Sequence, residues 1–289
     1  MEYLEEFINY LKLKNFSQKT ITGYRNKINS FSNWQNIKES DVLKEDIESY
    51  KDHLEKKNYT CHSVSSYLYG IREYFKYLEK KQYVFLNPFN QYLIPKCYKS
   101  LPKDILSINE MNRLLSFIDL SRKTGIRNRA LVELLYSTAI RNDECVNLKV
   151  TDIELSSGYV RIAEGKGRKE RLVPLGNKAI YYLKLYLKNR TVTNPDELQL
   201  FLNKYNKGLG GQMINNIVSG YGEALKKQVT THTLRRSAIT HMLLNGASPL
   251  FVQRIAGHEN ITSLRPYIRV SIPEIKEMHN KKHPREKCV

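Results

Sequence analysis

Apolar residues recur with a helical period through the first part of the chain. Leu4, Phe7, Ile8 and Leu11 fall at i, i+3, i+4 and i+7 between Tyr3 and Leu13, which makes one apolar face of a helix. Ser17 is placed to cap a second helix that carries Ile21, Tyr24, Ile28 and Phe31 on one side. A third helix is expected over Lys44 to Lys57. A fourth is expected from about Ser63 to Lys81, with Val64, Tyr67, Leu68, Ile71, Phe75 and Leu78 facing inward. Four short helices of this kind form a compact helical domain, assigned to residues 1–88. The stretch LNPFNQYLIPKCYKSLPKD that follows holds three prolines and no clear periodicity, so a linker is assigned to residues 89–104.

Beyond the linker, residues 105–289 form a second domain. Helical periodicity predicts a helix from Ile108 to Ile118 and a longer one from Arg127 to Ser137. The pattern then changes. GYVRIAEGKGRKERLVPL, from Gly158 to Leu175, has alternating β-branched arms around a Gly-Lys-Gly turn and reads as a β-hairpin. Helical spacing returns over Lys178 to Lys188 and again over Leu234 to Asn245. The expected fold class is mainly α with a small antiparallel β-sheet.

Composition adds a partner to this picture. The 289 residues carry 47 Lys and Arg against 29 Asp and Glu, a formal charge of +18. The excess is uneven: residues 1–95 hold 14 of the basic and 12 of the acidic side chains, leaving 33 and 17 for the rest. Such a basic C-terminal region suits a polyanion, and nucleic acid above all. No run approaches roughly 20 apolar residues, so no membrane span is expected. The acidic, amphipathic MEYLEEFINY start is the wrong pattern for a secretory signal. Cys61, Cys97, Cys145 and Cys288 are scattered and form no CxxC pair. That pattern argues against a zinc knuckle or a disulfide framework and fits a reducing, cytoplasmic location.

Five places carry residues suited to chemistry. STAIRNDE sets Arg141 at the end of an apolar helix with Glu144 three positions on; GKGRKE puts Lys166 at the hairpin tip; THTLRRS spaces His232 and Arg235 for one helical face; AGHEN supplies His258 and LRPY supplies Tyr267. Each has an ordinary explanation alone: a helix cap, a solvated turn, a structural histidine, one of 20 tyrosines. Together they are the groups needed to attack a phosphodiester. An arginine pair can fork onto the oxygens of a pentacoordinate phosphorus and neutralise its charge. A tyrosine hydroxyl is only ~0.1% ionised at neutral pH, so it needs a base or a cationic pocket to act as nucleophile. A lysine on a hairpin can protonate the departing oxygen. No Asp/Glu cluster stands at metal-ligand spacing, which weighs against a two-metal nuclease.

The order Arg141, Lys166, His232-x-x-Arg235, His258, Tyr267 resembles the tyrosine recombinases of the phage integrase family, and among them the Xer-type site-specific recombinases. The resemblance spans nearly the whole chain. SQKTITGYRNKINSF and SVSSYLYGIREYFKYL look like the family's helical, SAM-like core-binding domain. LVELLYSTAIRNDECVNLKVTDI, EGKGRKERLVPLG and THTLRRSAITHMLLNGASPLFVQRIAGHENI look like its catalytic domain. The resemblance implies that Tyr267 attacks the scissile phosphate to leave a 3′-phosphotyrosyl link and a free 5′-hydroxyl. Arg141 and Arg235 would clamp the non-bridging oxygens, with His258 bonded to one of them. His232 would assist the tyrosine's proton transfer, Lys166 would protonate the 5′-oxygen, and Glu144 would support the site. Neither metal, ATP nor another cofactor is implied. The partners implied are double-stranded DNA recombination sites, gripped by a two-domain C-shaped clamp, and a homotetramer that exchanges strands through a Holliday junction. Whether a second recombinase or an accessory protein takes part stays open, as does the biological role among dimer resolution, integration or excision, and transposition. The rival readings are a type IB topoisomerase and a catalytically silent DNA-binding protein.

The chain departs from the family pattern at several positions. Arg236 stands where a histidine is frequent and could still serve phosphate binding. Ala139 replaces the glycine of the usual TGLR, and Ala256 replaces a leucine, both read as packing variants. Leu264 and Pro266 lie close to the nucleophile, where Thr and an apolar residue are common. Proline fixes its own φ near −65° and pushes the preceding residue to extended geometry, so a helix is expected to start at about Pro266 with Tyr267 just inside. After it, IPEIKEMHNKKH spaces Ile272, Ile275 and Met278 as a C-terminal helix, expected either to pack on its own domain or, as such tails do in this family, to serve contacts between protomers.

Overall fold

In a computed structural model, the structure describes residues 2–90, 92–97, 105–163, 170–192 and 196–257. The chain divides into two compact units, 1–99 and 100–289.

The first unit is built from α1 (Leu4–Leu13), α2 (Gln18–Trp34), α3 (Lys44–Lys56) and α4 (Cys61–Lys80). The expected cap is present: the Ser17 hydroxyl accepts from the Thr20 N–H at 3.2 Å. Leu4, Phe7, Ile8 and Leu11 of α1 are all buried, as the period required. α4 supplies the most apolar surface, burying Val64, Leu68, Ile71, Phe75 and Leu78 together with Tyr74. Burying whole aromatic rings gives this core its mass, and their hydroxyls are satisfied. Tyr50 donates to Ser30 at 2.9 Å, and Tyr74 donates to the buried Glu39 at 3.0 Å.

One expectation is corrected here. Cys61 and Cys97 form a disulfide with Cα atoms 5.9 Å apart, joining the first residue of α4 to the segment that leaves the unit. The cysteine spacing had argued against disulfides, but 36 positions separate the pair, so only the folded chain brings them together. The Ser65 hydroxyl holds the same segment through the Pro95 carbonyl at 2.8 Å. Cys145, by contrast, is a buried thiol that burial pushes up to about 12.

The second unit runs α5 (Ile108–Ser116), α6 (Lys123–Thr138), α7 (Asn142–Asn147), β1 (Ile153–Glu154), β2 (Tyr159–Ile162), β3 (Arg171–Pro174), α8 (Asn177–Asn189), α9 (Gly211–Ala224), α10 (Thr231–Leu244) and α11 (Pro249–Ala256). The sheet is antiparallel in the order β1-β2-β3, with Val160 opposite Val173 and Ile162 opposite Arg171. Val160, Ile162 and Val173 face the core, so the hairpin is anchored on its inner side. α6 is buried from Ala130 to Leu135 and packs on α8 and α10.

α7, α9 and α11 were not anticipated. α9 contains Gly211, Gly220 and Gly222, a poor composition for a helix. It is held by tertiary packing instead: a Cβ on Gly222 would lie 2.7 Å from Val229. Among the described residues no helix is long and apolar enough to cross a membrane.

Candidate active site

Arg141 lies beyond the end of the long apolar helix and does not cap it. α6 stops at Thr138, and Ala139 turns the chain with φ 50°, in the left-handed region. Two residues later Arg141 begins α7 as its N-cap. The departure at Ala139 is therefore conformational as well as a matter of packing, because that backbone normally favours glycine. The turn puts Glu144 in the first turn of α7, where its Oε2 accepts the Arg141 backbone N–H at 2.8 Å and its Oε1 accepts from Arg141 Nη1 at 3.0 Å.

Arg235 sits in the first half of α10 and is buried. Its guanidinium donates to the Ala139 carbonyl at 2.5 Å and to the Ala256 carbonyl at 2.7 Å. Arg141 Nη2 donates to the next carbonyl, that of Gly257, at 2.6 Å. A third arginine, Arg171 at the start of β3, donates from Nε to the carbonyl of Ile255 at 3.1 Å. Three successive carbonyls at the C-terminal end of α11 thus each hold a different arginine. A helix end leaves its last carbonyls without helical partners and carries a partial negative charge, so it suits guanidinium groups.

Gly257 completes this end at φ 62°, and a Cβ there would lie 2.7 Å from the Arg171 guanidinium. Both the backbone and the close approach call for glycine.

Glu144 is the acid among these bases. Burial works against its charge, but hydrogen bonds from Arg171 and from the Arg141 backbone, with the charges of both arginines, hold its carboxyl below the usual carboxylate range. Two arginines on one carboxylate, with Arg235 held on the neighbouring Ala256 carbonyl, leave a net positive pocket, which suits a phosphate.

His232 lies one turn before Arg235 on α10, in the first turn and exposed. The hydroxyl of the N-cap Thr230 accepts from the Thr233 N–H at 3.2 Å, fixing the start of this helix. Arg236 is half-buried on the same helix. The structure thus brings Arg141, Glu144 and Arg235 together, with His232 on the helix that carries Arg235. Lys166, His258, Tyr267, Pro266 and the 272–289 tail lie outside the described residues. Among the described residues no cluster of His, Cys, Asp and Glu could hold a metal ion.

Arg171 was not singled out from the sequence. The signal was its alternation: it shares a strand face with buried Val173 and so points inward, which for an arginine demands a buried acid.

Comparison with known proteins places the chain in a family. Residues 104–273 match the phage integrase family and residues 4–82 match its N-terminal SAM-like domain. Tyrosine recombinase XerD of Staphylococcus epidermidis is 34% identical over 292 residues, covering 98% of each chain. The crystal structure of XerA recombinase is 28% identical with a TM-score of 0.56, again over 98% of both chains. The Tn1549 transposon integrase, solved in complex with transposon right end DNA, shares the fold at 16% identity with a TM-score of 0.81, covering 97% of this chain and 98% of that one. The chain belongs to the phage integrase family, the tyrosine recombinases.

Proposed function

We propose that this site-specific tyrosine recombinase cuts and rejoins duplex DNA through a covalent phosphotyrosine. The observation that carries the reading is the pair Arg141 and Arg235, side by side on adjacent carbonyls. Two fixed guanidinium groups match the two non-bridging oxygens of a phosphodiester and need little rearrangement as charge develops there.

In this mechanism the Tyr267 oxygen bonds to phosphorus and the bond to the 5′-oxygen breaks. His232 assists removal of the phenolic proton, and Lys166 gives a proton to the leaving 5′-oxygen. His258 bonds to a non-bridging oxygen, Glu144 orients Arg141, and Arg236 adds positive charge beside the DNA. One phosphoester bond forms as one breaks, so religation by a 5′-hydroxyl needs no ATP, metal or other cofactor. Exchange between two sites proceeds through a Holliday junction in a homotetramer, with the C-terminal helix making contacts between protomers. Residues 1–88 and the basic residues 105–289 both engage the duplex. The charge of +18 supports a polyanionic partner of this kind.

A nicked suicide substrate tests the reading, because the short 5′-hydroxyl strand diffuses away and traps the covalent complex. Wild-type protein should accumulate a phosphotyrosyl–DNA adduct on DNA carrying its site, and Tyr267→Phe should form none while still binding. An adduct that survives Tyr267→Phe would overturn the assignment.

A further inference from the structure

Arg171 makes two kinds of contact that no step above uses. Its Nη1 and Nη2 donate to Glu144 Oε1 and Oε2 at 2.9 and 2.8 Å, a two-pronged pair, while its Nε holds the Ile255 carbonyl. The Glu144 side chain is 3% exposed and that of Arg171 14%. Each Glu144 oxygen therefore serves both arginines: Oε1 takes Arg141 Nη1 and Arg171 Nη1, and Oε2 takes the Arg141 backbone N–H and Arg171 Nη2.

A buried carboxylate seeks all the donors it can reach, and a two-pronged arginine is its best partner. With Arg171 occupying one side of the carboxylate, Arg141 is left a single prong to it and gives its other prong to Gly257. Without Arg171, the carboxylate keeps only the Arg141 backbone N–H and Nη1 of these donors, and it fills the vacated positions by taking both prongs of the Arg141 guanidinium, turning it away from the phosphate.

We infer that Arg171 is a positioning residue for the strand-cleavage reaction: it competes for Glu144, so that Arg141 stays aimed at the scissile phosphate instead of being captured by the carboxylate. The same guanidinium, wedged against Gly257, ties the hairpin strand to the end of α11 that carries Arg141 and Arg235. The inference rests on the function proposed above.

The test is single-turnover cleavage of the nicked suicide substrate by full-length protein, with DNA binding followed by gel shift. Arg171→Ala should cleave about 10²-fold more slowly, the usual cost of losing one transition-state donor, with binding near wild type. Arg171→Lys keeps the charge but lacks the fork, and should be nearly as slow. The decisive readout is a neutral methylphosphonate at the scissile position. It removes the charge that Arg141 must neutralise, so the Arg171 deficit should shrink by about tenfold or more. The same relief is expected for Arg141→Ala as a control. Cleavage within about threefold of wild type, or a deficit just as large on methylphosphonate DNA, would overturn the inference. If Arg171→Ala does not fold, Arg171→Lys is judged by the same two criteria. Absence of any adduct with wild-type protein overturns the functional reading itself, and this inference falls with it; an adduct whose rate ignores Arg171 overturns the inference alone.

Discussion

The two units bury polar groups in different proportions. The helical unit buries mainly tyrosines, Tyr50 and Tyr74 both at 0% exposure, and among its described residues one acid, Glu39, held by the Tyr74 hydroxyl. The second unit buries more charges, among them Arg235 at 7% and Glu144 at 5% exposure. A buried hydroxyl needs one partner, whereas a buried charge needs a surrounding set. The first arrangement makes stability and asks for nothing else. The second is costly unless every group is held, and here that holding leaves two guanidinium groups in fixed positions for a phosphate.

The contrast can be broken most sharply at Arg235. Arg235→Lys cannot reach both the Ala139 and Ala256 carbonyls, so single-turnover cleavage should fall by roughly 10²–10³-fold. The fluorescence of Trp34, the one tryptophan of the chain, reports the helical unit and should show an unchanged unfolding midpoint.

A reverse perturbation touches only the first unit. Replacing Cys61 and Cys97 by serine opens a loop of 36 residues, which should remove about 3–4 kcal/mol of stability by the chain-entropy estimate. Denaturant titration of Trp34 fluorescence would reveal it. A loss confined to the second unit would contradict the placement of the bridge.

Proton titration sharpens the comparison further. Glu144 is held below its ordinary range, so its contribution is present above the unfolded carboxylate value and is lost as the pH falls through the lower folded value. Tyr74 is pushed up by burial and by the neighbouring Glu39, and burial raises Tyr50 to about 12. Their contribution is complete below about pH 10, where unfolded tyrosine ionises, and is lost as the pH rises towards the folded values. Stability measured by urea across pH should thus show an acid limb that Glu144→Gln flattens and an alkaline limb that Tyr74→Phe flattens, each variant leaving the other limb in place.

The smallest effect is expected at Ala139. Glycine there relieves roughly 1–2 kcal/mol of left-handed strain but gives up a buried methyl of about 0.8 kcal/mol and stiffness in the unfolded chain worth about 0.4–1 kcal/mol. Ala139→Gly should therefore shift the unfolding free energy by less than about 1 kcal/mol, measured by circular dichroism, with the adduct rate unchanged if the turn keeps its shape.

How far the sequence could be read follows the same divide. The helices of the first unit were legible almost to the residue, because an amphipathic period with Ser17 as cap is written directly in the side chains. The hairpin strands were legible for the same reason. α9 was hidden by its glycines, and α7 and α11 by their shortness. At the site, Arg141, His232 and Arg235 were picked out from spacing and resemblance. Glu144 was picked out as support, but Arg171 and the end of α11 were not, because Arg141, Arg171 and Arg235 all hold backbone carbonyls, which no residue letter encodes. That Arg141 begins a new helix was not legible, because Ala139 carries no glycine to mark the left-handed bend between α6 and α7. The Cys61–Cys97 bridge joins residues whose spacing carries no pattern.

The end of α11 also constrains how this protein can change. Ser248 fixes where the helix begins, through a 3.2 Å bond from the Phe251 N–H, and Gly257 fixes where it stops. Between them, each added or deleted residue turns the helix end by about 100°, enough to carry every carbonyl away from its arginine. Side chains on the exposed face, such as Leu250 and Phe251, can vary without disturbing that count. The segment should consequently accept many substitutions and almost no insertions or deletions, so that its length is inherited more strictly than its letters.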